Sequence, residues 1–213
     1  MTLSVALTKG RLEKGTIALL DQCGYGTENL KNKGRELVFA DTKKDLRYFL
    51  VKPNDCITYV EHGTADIGIV GKDTLMEGGK DYYEMLDLNI GKCCFVLAGM
   101  KGADPLKKSG HIRIGSKYPN VALDYFHSKG KDIEVIRIDG SVELAPVLGL
   151  TDGIVDIMET GETLRQNGLV VYDTVADISA RLIVNKASFK LKRDEVMALI
   201  HDLEGVIANA EEN

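Results

Sequence analysis

The amino-acid sequence predicts an α/β fold built from two βαβ lobes with a cleft between them. Within about the first seventy residues, a short apolar segment, a turn and an amphipathic segment follow one another three times, which is the pattern of a mostly parallel sheet. The same pattern recurs from residue 112 onwards. Between the two series, Asn89-Ile90-Gly91 separates two predicted strands, where a hinge between lobes would fit.

The first predicted strand is the buried segment Ser4–Leu7. The turn Lys9-Gly10-Arg11 follows it, and a helix at about Glu13–Cys23 ends at a following glycine, which allows a left-handed cap. Open α/β sheets bind ligands at the carboxyl ends of their strands. Lys9 and Arg11 are therefore candidate anion-binding residues, and the alternative is a solvated turn without a function.

The rest of the first lobe repeats this arrangement. Further strands are predicted at Glu36–Ala40, Leu46–Val51 and Asp66–Val70. A helix follows Lys52, because proline and aspartate are typical of a first helical turn. Gly71-Lys72-Asp73-Thr74 begins a shorter helix, whose N-terminus is a second candidate anion site.

The remaining elements are predicted from the same periodicities. Strands are expected at Tyr83–Leu88, Cys93–Ala98, Ile112–Gly115, Ile133–Ile138, Gly153–Met158, Val170–Val175 and Ala180–Val184, and helices at Pro119–Ser128, 139–149 and about Leu191–Ala210. The last helix carries apolar residues at i, i+3, i+4 and i+7, a stripe that faces either the core or a partner. If the strand at 180–184 returns to the first lobe, lobe I comprises residues 1–90 and 179–213 and lobe II comprises residues 91–178.

Composition excludes several classes of function. The net charge is −5 with no run of Lys or Arg, so nothing favours nucleic-acid binding. The first residues lack the pattern of a signal peptide, and no apolar run approaches the length of a membrane span. The four cysteines and four histidines show no metal-ligand spacing. We therefore expect a cytoplasmic protein with reduced cysteines and no transition-metal site.

The segment 150–164 combines a strand, a tight turn and the first turn of a helix. Backbone N–H groups of such a turn suit a phosphate monoester, Thr160 and Thr163 add hydroxyl donors, and Gly161 allows close approach. Asp152 and Asp156 lie upstream, where carboxylates can accept hydrogen bonds from the hydroxyls of a ribose. Together they predict a ribose 5-phosphate site, and the alternative is an ordinary helix cap with solvated acids.

Three stretches resemble one known family. They are Ala6-Leu7-Thr8-Lys9-Gly10-Arg11-Leu12, the segment 59–73 (YVEHGTADIGIVGKD), and the segment 140–164, which contains GSVELAP, GLTD, IVDI and TGETL. The chain resembles the ATP phosphoribosyltransferase family, which catalyses the first step of histidine biosynthesis. The resemblance covers nearly the whole chain from about residue 3.

This resemblance implies both a fold and a reaction. The fold assigned to the family is like that of the type II periplasmic binding proteins. In the reaction, N1 of ATP displaces pyrophosphate from phosphoribosyl pyrophosphate (PRPP), which makes the enzyme a glycosyltransferase that uses Mg²⁺ held mainly by the substrate pyrophosphate. The resemblance further implies a set of site residues. The catalytic ones are Lys9, Arg11, Arg35 and Lys52, and the substrate-binding ones are Lys72, Asp73, Glu143, Asp152, Asp156, Glu159, Thr160, Gly161 and Thr163.

The chain resembles the short form of the family, because it stops soon after the last amphipathic helix and lacks the histidine-binding domain of longer members. The resemblance implies a homodimer that joins a regulatory subunit related to histidyl-tRNA synthetase in a hetero-octamer. Two alternatives stay open from the residues alone. One is a non-catalytic solute-binding protein with two lobes, and the other is a phosphoribosyltransferase for a different base.

Overall fold

The computed structural model describes residues 2–41, 43–79 and 81–211. Its strands are β1 (Leu3–Thr8), β2 (Val38–Ala40), β3 (Leu46–Val51), β4 (Ile67–Gly71), β5 (Tyr83–Asp87), β6 (Cys93–Met100), β7 (Arg113–Ser116), β8 (Glu134–Arg137), β9 (Gly153–Met158), β10 (Leu169–Ile178) and β11 (Ala180–Val184). Its helices are α1 (Glu13–Gln22), α2 (Glu28–Lys31), α3 (Pro53–Glu61), α4 (Lys72–Glu77), α5 (Pro119–Ser128), α6 (Leu144–Val147), α7 (Glu162–Gln166), α8 (Lys186–Leu191) and α9 (Arg193–Glu211).

The chain divides into two compact units. The first consists of residues 1–91 together with 179–213, and the second consists of residues 92–178. Residues 1 and 212–213, which are the ends of the predicted first lobe, lie outside the described part of the chain. None of the described helices is both long enough and apolar enough to cross a membrane.

The first unit contains a six-stranded sheet in the order β2-β3-β1-β4-β11-β5. Its three central strands are parallel, because β1 pairs with β3 on one side and with β4 on the other. The outer strands β2, β11 and β5 join in antiparallel pairs. The prediction of a mostly parallel sheet therefore holds for the centre of this sheet and is wrong for its edges, since periodicity carries no information on strand direction.

Apolar side chains of β1 alternate between two cores. Leu3, Val5 and Leu7 join the core beneath α1 and α9, whereas Ala6 joins the core beneath α3. The apolar stripe of α9 faces the core of its own unit. Its buried members are Val196, Leu199, Ile200 and Leu203. This packing decides between the two orientations that the sequence allowed.

The chain leaves and re-enters the first unit at neighbouring positions. The Leu88 N–H donates to the Ala180 carbonyl over 2.9 Å, and the Ala180 N–H donates to the Ile90 carbonyl over 2.9 Å. Strands β5 and β11 are therefore joined up to the point where the chain departs.

The second unit contains a five-stranded sheet in the order β10-β6-β9-β7-β8. Strand β7 is parallel to β8 and to β9, while β6 and β10 are antiparallel additions. The bounds of β6, β7 and β8 differ from the predictions by one or two residues at an end, and two elements differ more. Strand β10 has ten residues, against the six predicted, and the helix predicted over 139–149 is only the four residues of α6.

Candidate active site

Three lysines follow neighbouring parallel strands at the carboxyl edge of the first unit's sheet. Lys9 comes directly after β1, Lys52 after β3 and Lys72 after β4. The Lys9 N–H donates to the Val51 carbonyl over 2.9 Å, so the first two lysines leave adjacent strands side by side. Open α/β sheets bind ligands at this edge. The three lysines give this edge, called the basic edge below, a local concentration of positive charge in an acidic protein.

Two of these lysines have different surroundings. Lys52 is exposed, and its extended backbone (φ −72°, ψ 155°) is the conformation that the following Pro53 favours. The Nζ atom of Lys72 lies 2.6 Å from an Oε atom of Glu84 on β5. Lys72 thus has an acidic partner within its own unit, whereas Lys52 presents its charge to solvent.

Arg11 is held from two directions. Its Nη1 donates to the Gly91 carbonyl over 2.6 Å, and its Nη2 lies 4.0 Å from Oδ1 of Asp73 at the start of α4. The arginine side chain is 33% exposed. The structure therefore brings Arg11 and Asp73 together and fixes the direction of the guanidinium at the basic edge.

Arg35 is exposed and lies on the segment between α2 and β2. The Leu50 N–H donates to the Leu37 carbonyl over 3.0 Å, so the chain enters β2 beside the carboxyl end of β3. Arg35 therefore precedes β2 at the same edge of the sheet as Lys52.

The predicted phosphate turn connects β9 to α7 in the second unit. Gly161 has a left-handed backbone, with φ +75°, and a Cβ added there would lie 3.1 Å from the Met158 sulfur. Glu159, Thr160 and Thr163 are exposed around it. Only glycine adopts this conformation at little cost, so the sequence forms an open turn with two hydroxyl side chains.

Asp156 lies on β9 before this turn and is partly buried. The pKa of its carboxyl group is raised to about 6, mainly by burial and in smaller part by the negative charge of Glu143, while a hydrogen bond from the Ile157 backbone and the charge of Lys117 act in the opposite direction. Glu143 precedes α6 and is also partly buried. Two carboxylates and one ammonium group therefore act on one another at the carboxyl edge of this sheet.

Lys117 is a candidate site residue that the sequence analysis missed. It comes directly after β7, and the pairing of Gly115 with Ile154 places it alongside Asp156. The signal was present in the sequence, because Lys117 follows a strand and precedes a helix with proline in its first turn. Lys52 has the same setting in the first unit.

The structure separates Asp152 from the other predicted residues. Asp152 precedes β9, whose six residues span roughly 20 Å, so it lies at the opposite edge of the sheet from Thr160. Its carboxylate accepts a hydrogen bond from the Arg113 N–H over 2.8 Å and pairs with Lys108 over 2.7 Å. Burial raises the Asp152 pKa, but these two contacts outweigh burial and leave that pKa below its ordinary value. We therefore do not place Asp152 beside the ribose.

Apart from Asp152, the predicted site residues fall into two sets, one in each unit. At the basic edge of the first unit the structure places Lys9, Arg11, Arg35, Lys52, Lys72 and Asp73. At the carboxyl edge of the second unit it places Glu143, Asp156, Glu159, Thr160, Gly161 and Thr163.

These features define a class of protein: an α/β protein of the type II periplasmic-binding-protein fold, with basic side chains at the carboxyl edge of one sheet and a glycine turn with two threonines at the carboxyl edge of the other. The fold is shared with the periplasmic aliphatic sulphonate binding protein of Escherichia coli. That structure has a TM-score of 0.63 at 11% identity and covers 99% of this chain and 74% of its own.

Closer similarity narrows the class to one family. The family model for ATP phosphoribosyltransferase matches residues 52–205. Proteins named ATP phosphoribosyltransferase are 54% identical in Bacillus cereus (95% of each chain) and 52% identical in Clostridium acetobutylicum (97% of this chain, 96% of the relative). An ATP phosphoribosyl transferase (HisG:HisZ) complex from Thermotoga maritima contains a chain that is 37% identical, with a TM-score of 0.81 over 97% of this chain and 99% of that one. The chain belongs to the ATP phosphoribosyltransferase family.

Proposed function

We propose that this chain transfers the phosphoribosyl group of PRPP to N1 of ATP, releasing pyrophosphate and forming phosphoribosyl-ATP, the first step of histidine biosynthesis. The observation that carries the proposal is the arrangement at the carboxyl edge of the second unit, where Asp156 and Glu143 lie before the turn at Gly161. Acceptors for a ribose diol followed by donors for a phosphate match a ribose 5-phosphate. Family membership supports ATP as the acceptor of the transferred group.

In this proposal the turn binds the 5-phosphate. The first N–H groups of a helix have no partners within the helix, and those following Gly161 lie in the open turn. The hydroxyls of Thr160 and Thr163 are further donors, and Glu159 borders the same turn. Binding energy at this remote group would hold the reacting carbon in place.

Asp156 and Glu143 would accept hydrogen bonds from the ribose hydroxyls. Displacement at the anomeric carbon develops positive charge on the sugar, and carboxylates near that carbon stabilise such charge. The alternative is that Asp156 has only a structural role, as a hydrogen-bond acceptor within the fold. Its raised pKa favours a functional role, because burying a carboxylate without an ion pair costs stability that an apolar residue would not cost.

The basic edge of the first unit would stabilise the departing pyrophosphate. Lys9, Arg11, Arg35 and Lys52 would provide the charge, with Lys72 at the next strand end. Arginine can bind phosphate through two parallel hydrogen bonds, whereas lysine acts as a point charge. Asp73 would contribute indirectly by fixing the Arg11 guanidinium, from which it lies 4.0 Å away.

We assign Mg²⁺ to the substrate rather than to a protein cage. In the part of the chain that the structure describes, no three or more His, Cys, Asp or Glu side chains are grouped to hold a metal. Magnesium commonly binds substrate phosphates with one or two carboxylates, and Glu143 and Asp156 are carboxylates of that kind. When bound, the ion supplies charge neutralisation at the departing pyrophosphate.

We further propose that this chain forms a homodimer and assembles with a regulatory subunit related to histidyl-tRNA synthetase, in a hetero-octamer. The similarity to a chain of the HisG:HisZ complex over nearly the whole length supports this assembly. We place the protein in the cytoplasm, where ATP and PRPP are available.

The first test is calorimetric titration of Mg-PRPP into the native chain and into a Gly161→Ala variant. Gly168→Ala is the matched control, because Gly168 also has positive φ (+73°) but a Cβ there meets nothing within 4 Å. Both variants pay the cost of a left-handed alanine. We expect Gly161→Ala to weaken PRPP binding at least tenfold and Gly168→Ala to bind normally.

Product analysis with ATP then separates the enzyme from a solute-binding protein. We expect phosphoribosyl-ATP and pyrophosphate from the native chain. Tight binding of PRPP without any product, even with the regulatory subunit present, would favour the solute-binding alternative.

A further inference from the structure

Gly91 is the last residue of the first unit before the chain enters the second. Its backbone is left-handed, with φ +61°, a conformation that only glycine adopts at little cost. The Ala180 N–H donates to the preceding Ile90 carbonyl over 2.9 Å, so the backbone before Gly91 is held to β11. The direction of the Gly91 carbonyl is therefore set by a backbone that is both unusual and anchored.

Residues 90 and 91 pack against the turn that carries Arg11 and against the start of α1. A Cβ added to Gly91 would lie 2.2 Å from Cδ2 of Leu12 and 3.5 Å from Nη1 of Arg11. Leu12 is 6% exposed, so it belongs to the core. A Cβ added to Gly15 in α1 would lie 3.3 Å from Cδ1 of Ile90. Glycine at position 91 therefore lets the backbone come close to the turn, where a side chain would push it away.

This close approach creates a hydrogen bond to a predicted catalytic residue. Nη1 of Arg11 donates to the Gly91 carbonyl over 2.6 Å. Hydrogen bonds from a charged donor are stronger than neutral ones, and this one fixes a long side chain at its far end. A guanidinium has five N–H donors in one plane, so it can bind a carbonyl and a phosphate at the same time. A side chain held in advance loses less entropy when its ligand binds.

We propose that Gly91 is a positioning residue for the transfer reaction, whose carbonyl orients the Arg11 guanidinium toward the departing pyrophosphate. This inference rests on the proposed function, in which Arg11 stabilises that group. It adds a residue that acts through Arg11 rather than by contact with the substrate. The position requires glycine, because the left-handed backbone and the contact with Leu12 both exclude a side chain.

The first experiment is calorimetric titration of Mg-pyrophosphate into the native chain and into Gly91→Ala, with folding checked by circular dichroism. We expect Gly91→Ala to bind about tenfold more weakly, because the added Cβ displaces the carbonyl from Arg11. Gly24→Ala is the matched control and should bind normally, since Gly24 has φ +78° in the same unit and a Cβ there meets nothing within 4 Å. Ribose 5-phosphate, the ligand proposed for the turn of the second unit, should bind Gly91→Ala with native affinity.

Two double variants separate positioning from a general loss of structure. In an Arg11→Met background, Gly91→Ala should cause no further loss of Mg-pyrophosphate affinity, because both changes remove the same hydrogen bond. Leu12→Val removes the Cδ atom that the new Cβ would meet. Gly91→Ala/Leu12→Val should therefore regain most of the lost affinity, whereas a merely structural role of Gly91 would produce neither pattern.

An ester variant tests the hydrogen bond without adding a side chain. The amide that joins Gly91 to Lys92 is replaced by an ester, with the α-hydroxy analogue of lysine at position 92. An ester carbonyl is a weaker acceptor than an amide carbonyl, so this variant should also bind Mg-pyrophosphate more weakly than the native chain. It keeps the proposal testable if Gly91→Ala does not fold.

The other outcomes are also decisive. Native affinity in both Gly91→Ala and the ester variant overturns the proposal, and so does an equal loss in Gly24→Ala. Tighter binding by Gly91→Ala means that the carbonyl competes with pyrophosphate for Arg11, which also overturns it. If Arg11→Met binds Mg-pyrophosphate as well as the native chain, the proposed role of Arg11 fails together with this inference. If Arg11→Met loses affinity and Gly91→Ala does not, only this inference fails.

Discussion

Replacing Asp156 with asparagine should make the protein more stable and less able to bind PRPP. Asn has nearly the same shape as Asp but carries no charge. In the folded state the carboxyl pKa is raised from 3.8 to about 6, with burial as the main cause. A difference of about two pH units corresponds to about 3 kcal/mol. At pH 7 the ionised Asp156 should therefore lower the free energy of unfolding of the native protein by up to about 3 kcal/mol, and Asp156→Asn should remove this loss.

The sign of the effect depends on pH in a defined way. The folded state binds the Asp156 proton more tightly than the unfolded chain does, so stability falls as the pH rises between about 4 and 6. The contribution of the protonated carboxyl is fully present below pH 3.8 and is lost once the pH passes about 6. The stability difference between Asp156→Asn and the native chain should therefore be near zero at pH 3.8 and reach its full value by pH 7.

Urea unfolding followed by circular dichroism at several pH values measures this difference. Asp152→Asn is the matched control at the other end of the same strand. The Asp152 pKa is lowered, so Asp152→Asn should be less stable than the native chain at pH 7 and should bind PRPP normally. Asp156→Asn should lose at least tenfold in PRPP affinity. A variant Asp156→Asn that is less stable than the native chain at pH 7, or a difference independent of pH, would refute the reasoning.

Two further predictions concern stability and regulation. Asp66 is 4% exposed and pairs with Lys192 over 2.8 Å, so Lys192→Met should lower the free energy of unfolding by about 2–4 kcal/mol. Lys190→Met, on the neighbouring exposed surface, is the control and should change the urea midpoint of unfolding little. Equal effects of the two variants would contradict the role of the buried pair. Histidine should inhibit the isolated chain poorly and should inhibit its complex with the regulatory subunit in a transferase assay. Equal inhibition of both at the same histidine concentrations would argue against a separate regulatory subunit.

The parallel strands could be predicted from the sequence because each combines two local signals. Strands β1 and β4 are apolar segments that end at a glycine-bearing or lysine-bearing turn, and buried parallel strands have that composition. The antiparallel strands β5, β6 and β11 were also predicted as strands, but periodicity carried no information on their direction. Strand β10 extends beyond the predicted Val170–Val175, because the backbone of Ala176 and Asp177 remains paired with Phe95 and Cys94.

Site residues could be predicted where residues that are close in the sequence are also close in the structure. Gly161 and the two threonines lie in one turn, so the local pattern sufficed. The structure does not bring Asp152 to the turn with Asp156, because four residues along a strand advance the chain by roughly 13 Å. The two aspartates therefore lie at different levels of the sheet. Lys117 was missed for the opposite reason, since its closeness to Asp156 arises from strand pairing between segments almost forty residues apart in sequence.

The hydrogen bonds that join Leu88, Ile90 and Ala180 make the second unit an insertion between two neighbouring strand ends. Because departure and return share one place on β5 and β11, a different middle segment can be accommodated without opening any strand pair of the first sheet. The ends of β5 and β11 stay paired whichever segment lies between them in the chain. Variation in what the second unit binds is then separable from the stability of the sheet that carries both ends of the chain.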